Sequence, residues 1–326
     1  MKALVTGATG FTGGQLALRL QKQGDQVRAI VRDTSKANDL AAAGIEVVRG
    51  DLTDRASVAA AIAGMEVVYN IGALYRTAGL RASVYRAVNA DAVPMIIECA
   101  QAAGVRRVVH CSTVGVHGDV EHPPANEDAP LRPGDVYQET KVLGEQLGRE
   151  ASARTGVELV IARPSGIYGP GDRRLFKLFG GVARGRFLFL GDGKIFYHLT
   201  HVDDLSDGFR LCATVPAAAG RTYLLAGGEV TTLNELVALT ADLAGVKPPT
   251  MHWPVWPFWA AGAACEAICA PLGISPPIFR RRVDFFTKSR AFDISRARAE
   301  LGFAPRIGLR EGIGRTLEWY RDHSWI

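Results

Sequence analysis

Short apolar runs alternate with amphipathic stretches through the first half of this 326-residue chain. The runs at 3–6, 26–31, 46–49, 67–71, 107–111 and 158–162 are near-continuous in apolar residues, the pattern of strands covered on both faces. Between them, apolar positions recur at helical spacing over 15–23, 57–63, 93–103 and 136–153. Such alternation predicts an α/β fold, a doubly wound parallel sheet with helices on both faces. After Arg163-Pro164 the texture changes to loops rich in Gly, Pro and aromatics, broken by His201-Val202-Asp203-Asp204-Leu205 and a strand-like run at 222–226. The expected organisation is a first domain over 1–168 and a smaller domain over 169–326, interleaved so that 195–226 returns to the core of the first. Neither an internal repeat at solenoid periods nor a low-complexity tract interrupts this plan.

One tract departs from it. Residues 253–274 are apolar and tryptophan-rich, but Pro254, Pro257, Glu266 and Pro271 leave less than the ~20 uninterrupted residues that a bilayer span needs. The tract predicts a helix lining a substrate pocket or a dimer face. The alternative is a peripheral membrane contact through 253–282, which ends in Arg280, Arg281 and Arg282.

Composition narrows the classes. A 48% hydrophobic chain of this length can bury a sizeable core, so extensive disorder is not expected. The net charge of +5 comes from Lys and Arg spread along the chain without interleaved aromatics, which speaks against nucleic-acid binding and suits a dinucleotide or an acidic substrate. The five cysteines, Cys99, Cys111, Cys212, Cys265 and Cys269, are odd in number and show no CxxC spacing. A disulfide framework and a metal site are therefore not expected, and a reducing cytoplasm fits best. The N-terminus enters a strand at once, unlike a signal peptide.

Candidate chemistry begins with Val5-Thr6-Gly7-Ala8-Thr9-Gly10-Phe11-Thr12-Gly13, a glycine-rich turn between the first strand and the first helix. Gly7 permits the bend, Gly10 lets backbone amides of the turn, including those of Thr9 and Phe11, approach phosphate oxygens, and Gly13 lets the helix pack on the sheet. The second strand ends in Arg32-Asp33, where an adenosine ribose would sit. Arg32 at the strand tip favours the 2′-phosphate of NADP, whereas a one-residue shift would promote Asp33 and NAD. Asp51-Leu52 is placed to meet the adenine, with helix capping as the competing role for Asp51. Asn70, Gly72 and Ala73, after the fourth strand, are placed to pass close to the dinucleotide.

Tyr137 and Lys141 stand four residues apart on one predicted helix face. A phenol of ordinary pKa ~10 is a poor base, and a unit charge at ~5 Å in an effective dielectric of ~20 contributes ~3 kcal/mol, enough to bring it within range of acid–base work. Lys141 is the expected source of that charge. The strand at 107–111 delivers Ser112-Thr113-Val114-Gly115-Val116-His117-Gly118 to the sheet's ligand-binding edge, where Thr113 can polarise a carbonyl. Two hydroxyls meeting one substrate oxygen suit proton transfer coupled to hydride transfer. His117 and His201 show no partner pattern for a metal or a triad and are read as structural.

These motifs, with Arg163-Pro164-Ser165-Gly166-Ile167-Tyr168-Gly169-Pro170-Gly171-Asp172, resemble the extended short-chain dehydrogenase/reductase family over nearly the whole chain. The resemblance implies a Rossmann domain binding NAD or NADP. It makes Thr113 the catalytic hydroxyl, Tyr137 the acid/base and Lys141 a ribose contact, with Ser112 facing the cofactor and Pro164 on the nicotinamide-side wall. Sugar-nucleotide epimerases and dehydratases of the family usually carry asparagine where this chain has Gly166, and His117 and Asn70 stand where tyrosine and histidine are usual. The Ser112–Val116 run, the 253–274 tract and the ending from Phe292-Asp293-Ile294-Ser295 to Trp319-Tyr320 resemble the 3β-hydroxysteroid and sterol-4-carboxylate 3-dehydrogenase branch. Residues 27–33 are similar to those of NADPH-using dihydroflavonol reductases.

The resulting expectation is an NAD(P)-dependent oxidoreductase acting on a secondary alcohol or ketone of a bulky apolar substrate such as a sterol. A homodimer formed through 93–103 and 136–153 accompanies it. A sugar-nucleotide epimerase or dehydratase and a non-catalytic dinucleotide sensor are the alternatives.

Overall fold

The computed structural model describes residues 1–77, 79–269 and 283–326. Twelve strands occur among them: β1 (Lys2–Thr6), β2 (Gln26–Val31), β3 (Glu46–Arg49), β4 (Val67–Asn70), β5 (Arg107–Cys111), β6 (Glu158–Pro164), β7 (Gly166–Tyr168), β8 (Phe189–Leu190), β9 (Phe196–His201), β10 (Thr222–Leu225), β11 (Val230–Thr232) and β12 (His252–Trp253). Seven form one sheet in the order β3-β2-β1-β4-β5-β6-β10, every neighbouring pair parallel. Strand order reverses between β1 and β4, so their C-terminal ends diverge and leave a crevice between the loops that follow them.

The alternating sides of each strand serve two cores. Ala3 and Val5 of β1 pack with Leu16, Leu20, Leu205 and Phe209, from helices Phe11–Lys22 and Val202–Thr214. Leu4 faces the opposite way, toward Val58, Ile62, Val93 and Ile97 of helices Arg55–Ile62 and Ala92–Ala102. Burying both faces explains why these strands read as continuous apolar runs.

A smaller unit is built on β7, β9 and β11, with β7 parallel and β11 antiparallel to β9. Phe179, Leu199, Leu236, Ile313 and Leu317 form its core. Of the stretch 195–226, helix Val202–Thr214 and β10 lie on the main sheet, whereas β9 belongs to the small one. β7 leaves β6 after only Ser165, which ties the small sheet directly to the main sheet's ligand-binding edge.

The apolar tract provides β12 and helix Trp256–Cys269, where Trp256 is 72% exposed. Its continuation at 270–282, including Arg280 to Arg282, lies outside the described residues. No helix among the described residues is long and apolar enough to cross a membrane.

Candidate active site

The diverging strand ends open into a cleft of about 1490 Å³ that runs from the glycine turn to the small unit. Its floor is made by close backbone approach. Gly7 takes φ +69°, and a Cβ there would lie 2.6 Å from Gly72 Cα, while one at Gly13 would lie 2.4 Å from the Gly7 carbonyl oxygen. Helix Phe11–Lys22 starts at Gly10 without a side-chain cap. Its first-turn amides, together with the helix dipole, form a cradle fitted to a pyrophosphate.

At the expected ribose end Arg32 lines the cleft, whereas Asp33 does not. The Asp33 carboxylate instead accepts from the Ser35 backbone N–H (3.1 Å) and hydroxyl (2.6 Å). Asp51 and Leu52 also line the cleft. Helix Arg55–Ile62 is capped by Asp54, which leaves Asp51 outside that role. Hydrogen bonds from Thr53, opposed by partial burial and aided by the charge of Arg32, hold the Asp51 carboxyl below its ordinary range.

Gly72 and Ala73 line the cleft, but Asn70 does not. Its amide is buried behind the wall, accepting from Thr6 Oγ1 (3.0 Å) and donating to His110 Nδ1 (3.0 Å). Ser112 reaches the wall, yet its hydroxyl does not serve the cofactor side as expected: it donates to Glu145 Oε1 at 2.5 Å. The reason is a strong acceptor in the core, since Glu145 forms a buried two-point ion pair with Arg163 (2.6 and 2.9 Å). Arg163 also donates to His117 Nε2 (3.2 Å), and His201 caps helix Val202–Thr214, so both histidines are held in structural contacts.

Thr113 opens a single turn at Val114–His117, where its Oγ1 accepts from the Gly115 N–H at 3.0 Å. With that lone pair engaged, the hydroxyl proton is free to point into the cleft. Helix Val136–Thr155 begins at Asp135, which caps the Gln138 N–H, and brings Tyr137 to the same wall. A Cβ on Gly115 would lie 3.2 Å from Thr113 Oγ1 and 3.1 Å from Gln138 Nε2, a measure of how closely the strand end and the helix start meet.

The cations near Tyr137 differ from expectation. Burial, followed by Cys111 and Tyr75, pushes the phenol above its ordinary pKa, and Arg174 and Arg76 oppose the rise. Arg76 stands 5.7 Å from the Tyr137 ring centroid, and Arg76 and Arg174 each stand 5.3 Å from the Tyr75 ring, which meets Tyr137 edge-on at 4.9 Å. Lys141, 1% exposed, is absent from the cleft lining and sets its Nζ 3.4 Å from His110 Nε2. A Cβ on Gly144 would lie 2.3 Å from the Asn89 carbonyl oxygen, so this turn of the helix is pressed into the core and carries Lys141 with it.

Pro164 and Ser165 close the wall after β6, and the Ser165 hydroxyl is buried without a partner. Sequence reasoning placed Pro164 and the residues after it on this wall but missed Tyr75, Arg76 and Arg174, the first two because the segment after β4 has no periodicity to flag them. Among the described residues no cluster of His, Cys, Asp and Glu could hold a metal ion.

Comparison with known proteins matches these features to a family. The profile of the NAD dependent epimerase/dehydratase family matches residues 3–226. The 2-alkyl-3-oxoalkanoate reductase of Stenotrophomonas maltophilia (strain K279a) is 31% identical over 332 residues, covering 97% of this chain and 98% of its own. The 3-beta-hydroxysteroid dehydrogenase of Mycolicibacterium neoaurum is 29% identical over 338 residues, covering 98% and 92%. The structure of MoeE5 in complex with UDP-glucose and NAD shares the fold with a TM-score of 0.78 at 28% identity, covering 99% of this chain and 100% of that one.

Proposed function

Because this chain belongs to the NAD dependent epimerase/dehydratase family of NAD(P)-dependent oxidoreductases, we propose that it interconverts a secondary alcohol and a ketone on a bulky apolar substrate, a 3β-hydroxysteroid or sterol-4-carboxylate, with NADP preferred. The observation that carries this reading is the shared wall: Thr113 and Tyr137 open onto the cleft headed by the glycine turn. The amides of the Gly7–Gly13 turn would hold the pyrophosphate, Arg32 the 2′-phosphate, Asp51 and Leu52 the adenine, and Pro164 and Ser165 the nicotinamide side. The dinucleotide supplies the hydride acceptor or donor. Tyr137 gives its proton to the ketone oxygen in reduction, or takes the alcohol proton in oxidation, and Thr113 donates a hydrogen bond to the same oxygen. The raised phenol pKa keeps Tyr137 protonated, the form reduction requires, and Arg76 and Arg174 lower the cost of the phenolate that oxidation requires.

Phe187, Leu188, Phe285 and Phe286 line the far half of the cleft and support an apolar substrate body. Arg76, Arg174, Lys177 and Arg186 line it too, which supports an acid group on that substrate. Oxidation beside a carboxylate leaves a β-keto acid, whose ketone can take up the electron pair released with CO2. A sugar nucleotide is the second reading, favoured by the same cations. Against it, a Cβ on Gly166 would lie 2.6 Å from Leu199 Cδ2, so an asparagine there has no room unless Leu199 shifts. Homodimer formation through helices Ala92–Ala102 and Val136–Thr155 belongs to the same proposal, and a monomer in sedimentation would contradict it.

The test is a panel of 3β-hydroxysteroids with and without a 4-carboxylate, assayed with NADP and NAD, beside UDP-sugars without added dinucleotide. Dinucleotide-linked oxidation of a sterol supports the proposal. Turnover confined to UDP-sugars overturns it.

A further inference from the structure

Helix Trp256–Cys269 and the strand before it carry an apolar surface that the rest of the described chain leaves open. The helix is apolar on every side, with Glu266 its one charged residue. A helix of that composition belongs in a protein core or in lipid. This one buries only Gly262. Trp256, Ala260, Ala264 and Ile268, spaced by four and so on one face, are all exposed, Trp256 and Ile268 to 72% and 64%. Met251 and Trp253, just ahead of the helix, extend the exposed apolar surface.

This surface is joined to the cleft. β12 pairs with β8, the Gly191 N–H donates to the Trp253 carbonyl oxygen at 2.9 Å, and the Phe189 ring centroid stands 4.2 Å from that of His252. Leu188, the residue before β8, is exposed and at the same time lines the apolar end of the cleft. Over 184–194 and 247–253, which flank the strand pair, the charged residues are Arg184, Arg186, Lys194, Lys247 and the single acid Asp192, all exposed.

We propose that this surface docks on an anionic lipid bilayer, with helix Trp256–Cys269 lying along the boundary between headgroups and acyl chains and the flanking cations among the headgroups. Fourteen residues at ~1.5 Å each make a rod of ~21 Å, short of the ~30 Å hydrocarbon core, so the helix lies on the bilayer and does not cross it. Tryptophan beside lysine and arginine is the composition of a lipid interface: the indole body enters the acyl boundary, its N–H stays with the headgroups, and the cations add attraction to anionic lipid. A second copy of this chain is the competing occupant. An isologous contact through this face would set the same four cations against one another, whereas an anionic bilayer supplies their counter-charge. Docking in this way turns the apolar end of the cleft toward the lipid. The inference rests on the surface and not on the reaction proposed for the cleft.

The experiment is flotation of the full-length protein with vesicles of phosphatidylcholine alone and of phosphatidylcholine with phosphatidylglycerol, joined to tryptophan fluorescence. The protein should float with the phosphatidylglycerol vesicles, bind phosphatidylcholine alone at least about tenfold more weakly, and lose emission to lipid brominated on its acyl chains. Trp256→Ser should lower the partition coefficient about tenfold, and Trp256→Ser combined with Ile268→Ser about a hundredfold. Both variants should keep the wild-type melting temperature, because the two side chains are exposed. A wild-type protein that floats with neither vesicle overturns the proposal without any variant. Equal binding to the two vesicle types removes the role of the cations and overturns it as well. Undiminished binding by the double variant means that lipid meets another surface, and a wild-type oligomer that the double variant lowers in sedimentation assigns the face to a second copy. Either result overturns the proposal.

Discussion

The Arg76 guanidinium stands 5.7 Å from the centroid of the Tyr137 ring while it is ion-paired to Asp135 at 2.8 Å, the residue that caps the helix bearing Tyr137. Arg76 takes φ +28°, in the left-handed region that residues other than glycine rarely adopt. Position and charge therefore reach the Tyr137 phenol through one residue that lies outside every regular element. Arg76→Met should raise the phenol pKa, because a nearby cation that favours the phenolate is gone. The limb of the oxidation pH profile that reports Tyr137 should move to higher pH, and the rate at fixed neutral pH should fall by about tenfold, as expected for loss of ~1–2 kcal/mol from a desolvated cation–ring contact. A profile that does not move would contradict this role.

Gly13→Ala tests the cradle. The added Cβ would lie 2.4 Å from the Gly7 carbonyl oxygen, a backbone atom held by its own turn, so the turn must open. The expected results are a stability loss of ~1–3 kcal/mol in urea denaturation and weaker dinucleotide binding by calorimetry. Retained affinity would show that the turn does not cradle the pyrophosphate.

Arg32, on the cleft lining, is the residue through which the proposed preference for NADP can be tested. Arg32→Ala should cost NADP about 10- to 100-fold in affinity, the range of a lost charge-assisted contact, and leave NAD nearly unchanged. An equal effect on both would remove the basis for preferring NADP.

The buried pair of Glu145 and Arg163 governs acid stability. Burial alone would raise the Glu145 carboxyl, but hydrogen bonding from Arg163, the charge of Arg163 and the Ser112 hydroxyl together hold it below its ordinary range. A folded-state pKa below the unfolded value of ~4.3 means that the stabilisation is present above that pH and is lost as pH falls through the lower folded value. Glu145→Gln should cost ~3–5 kcal/mol at pH 7, since Arg163 is left buried without its counter-charge, and should flatten the further loss on acidification. Urea midpoints for both proteins from pH 7 to pH 3 measure this. Parallel curves would contradict it.

The inner strands were legible because parallel strands buried on both faces are mostly apolar. The runs at 26–31 and 107–111 coincide with β2 and β5, and 46–49 coincides with the edge strand β3, whose Glu46 and Arg49 are exposed. The glycine turn, Thr113 and Tyr137 reach one cleft from places that local spacing can locate, a turn, a strand end and a helix start. What could not be read depends on packing across the chain. The four-residue spacing of Tyr137 and Lys141 places both on one helix face, yet it says nothing of His110 on β5, toward which Nζ turns. Tyr75 and Arg76 follow β4 in a segment without periodicity, and Arg174 lies in a loop whose sequence gives no sign that it reaches Tyr75.

The most direct test of the account is Tyr137→Phe, measured for dinucleotide affinity and for hydride transfer on the same preparation. The variant keeps the ring that Tyr75 and Arg76 pack against and removes only the hydroxyl proposed to transfer the proton. Affinity should stay within about twofold, while turnover should fall by at least ~10²-fold, the lower end of what general acid–base catalysis contributes. Turnover at the wild-type rate would mean that the proton comes from elsewhere and would contradict the account.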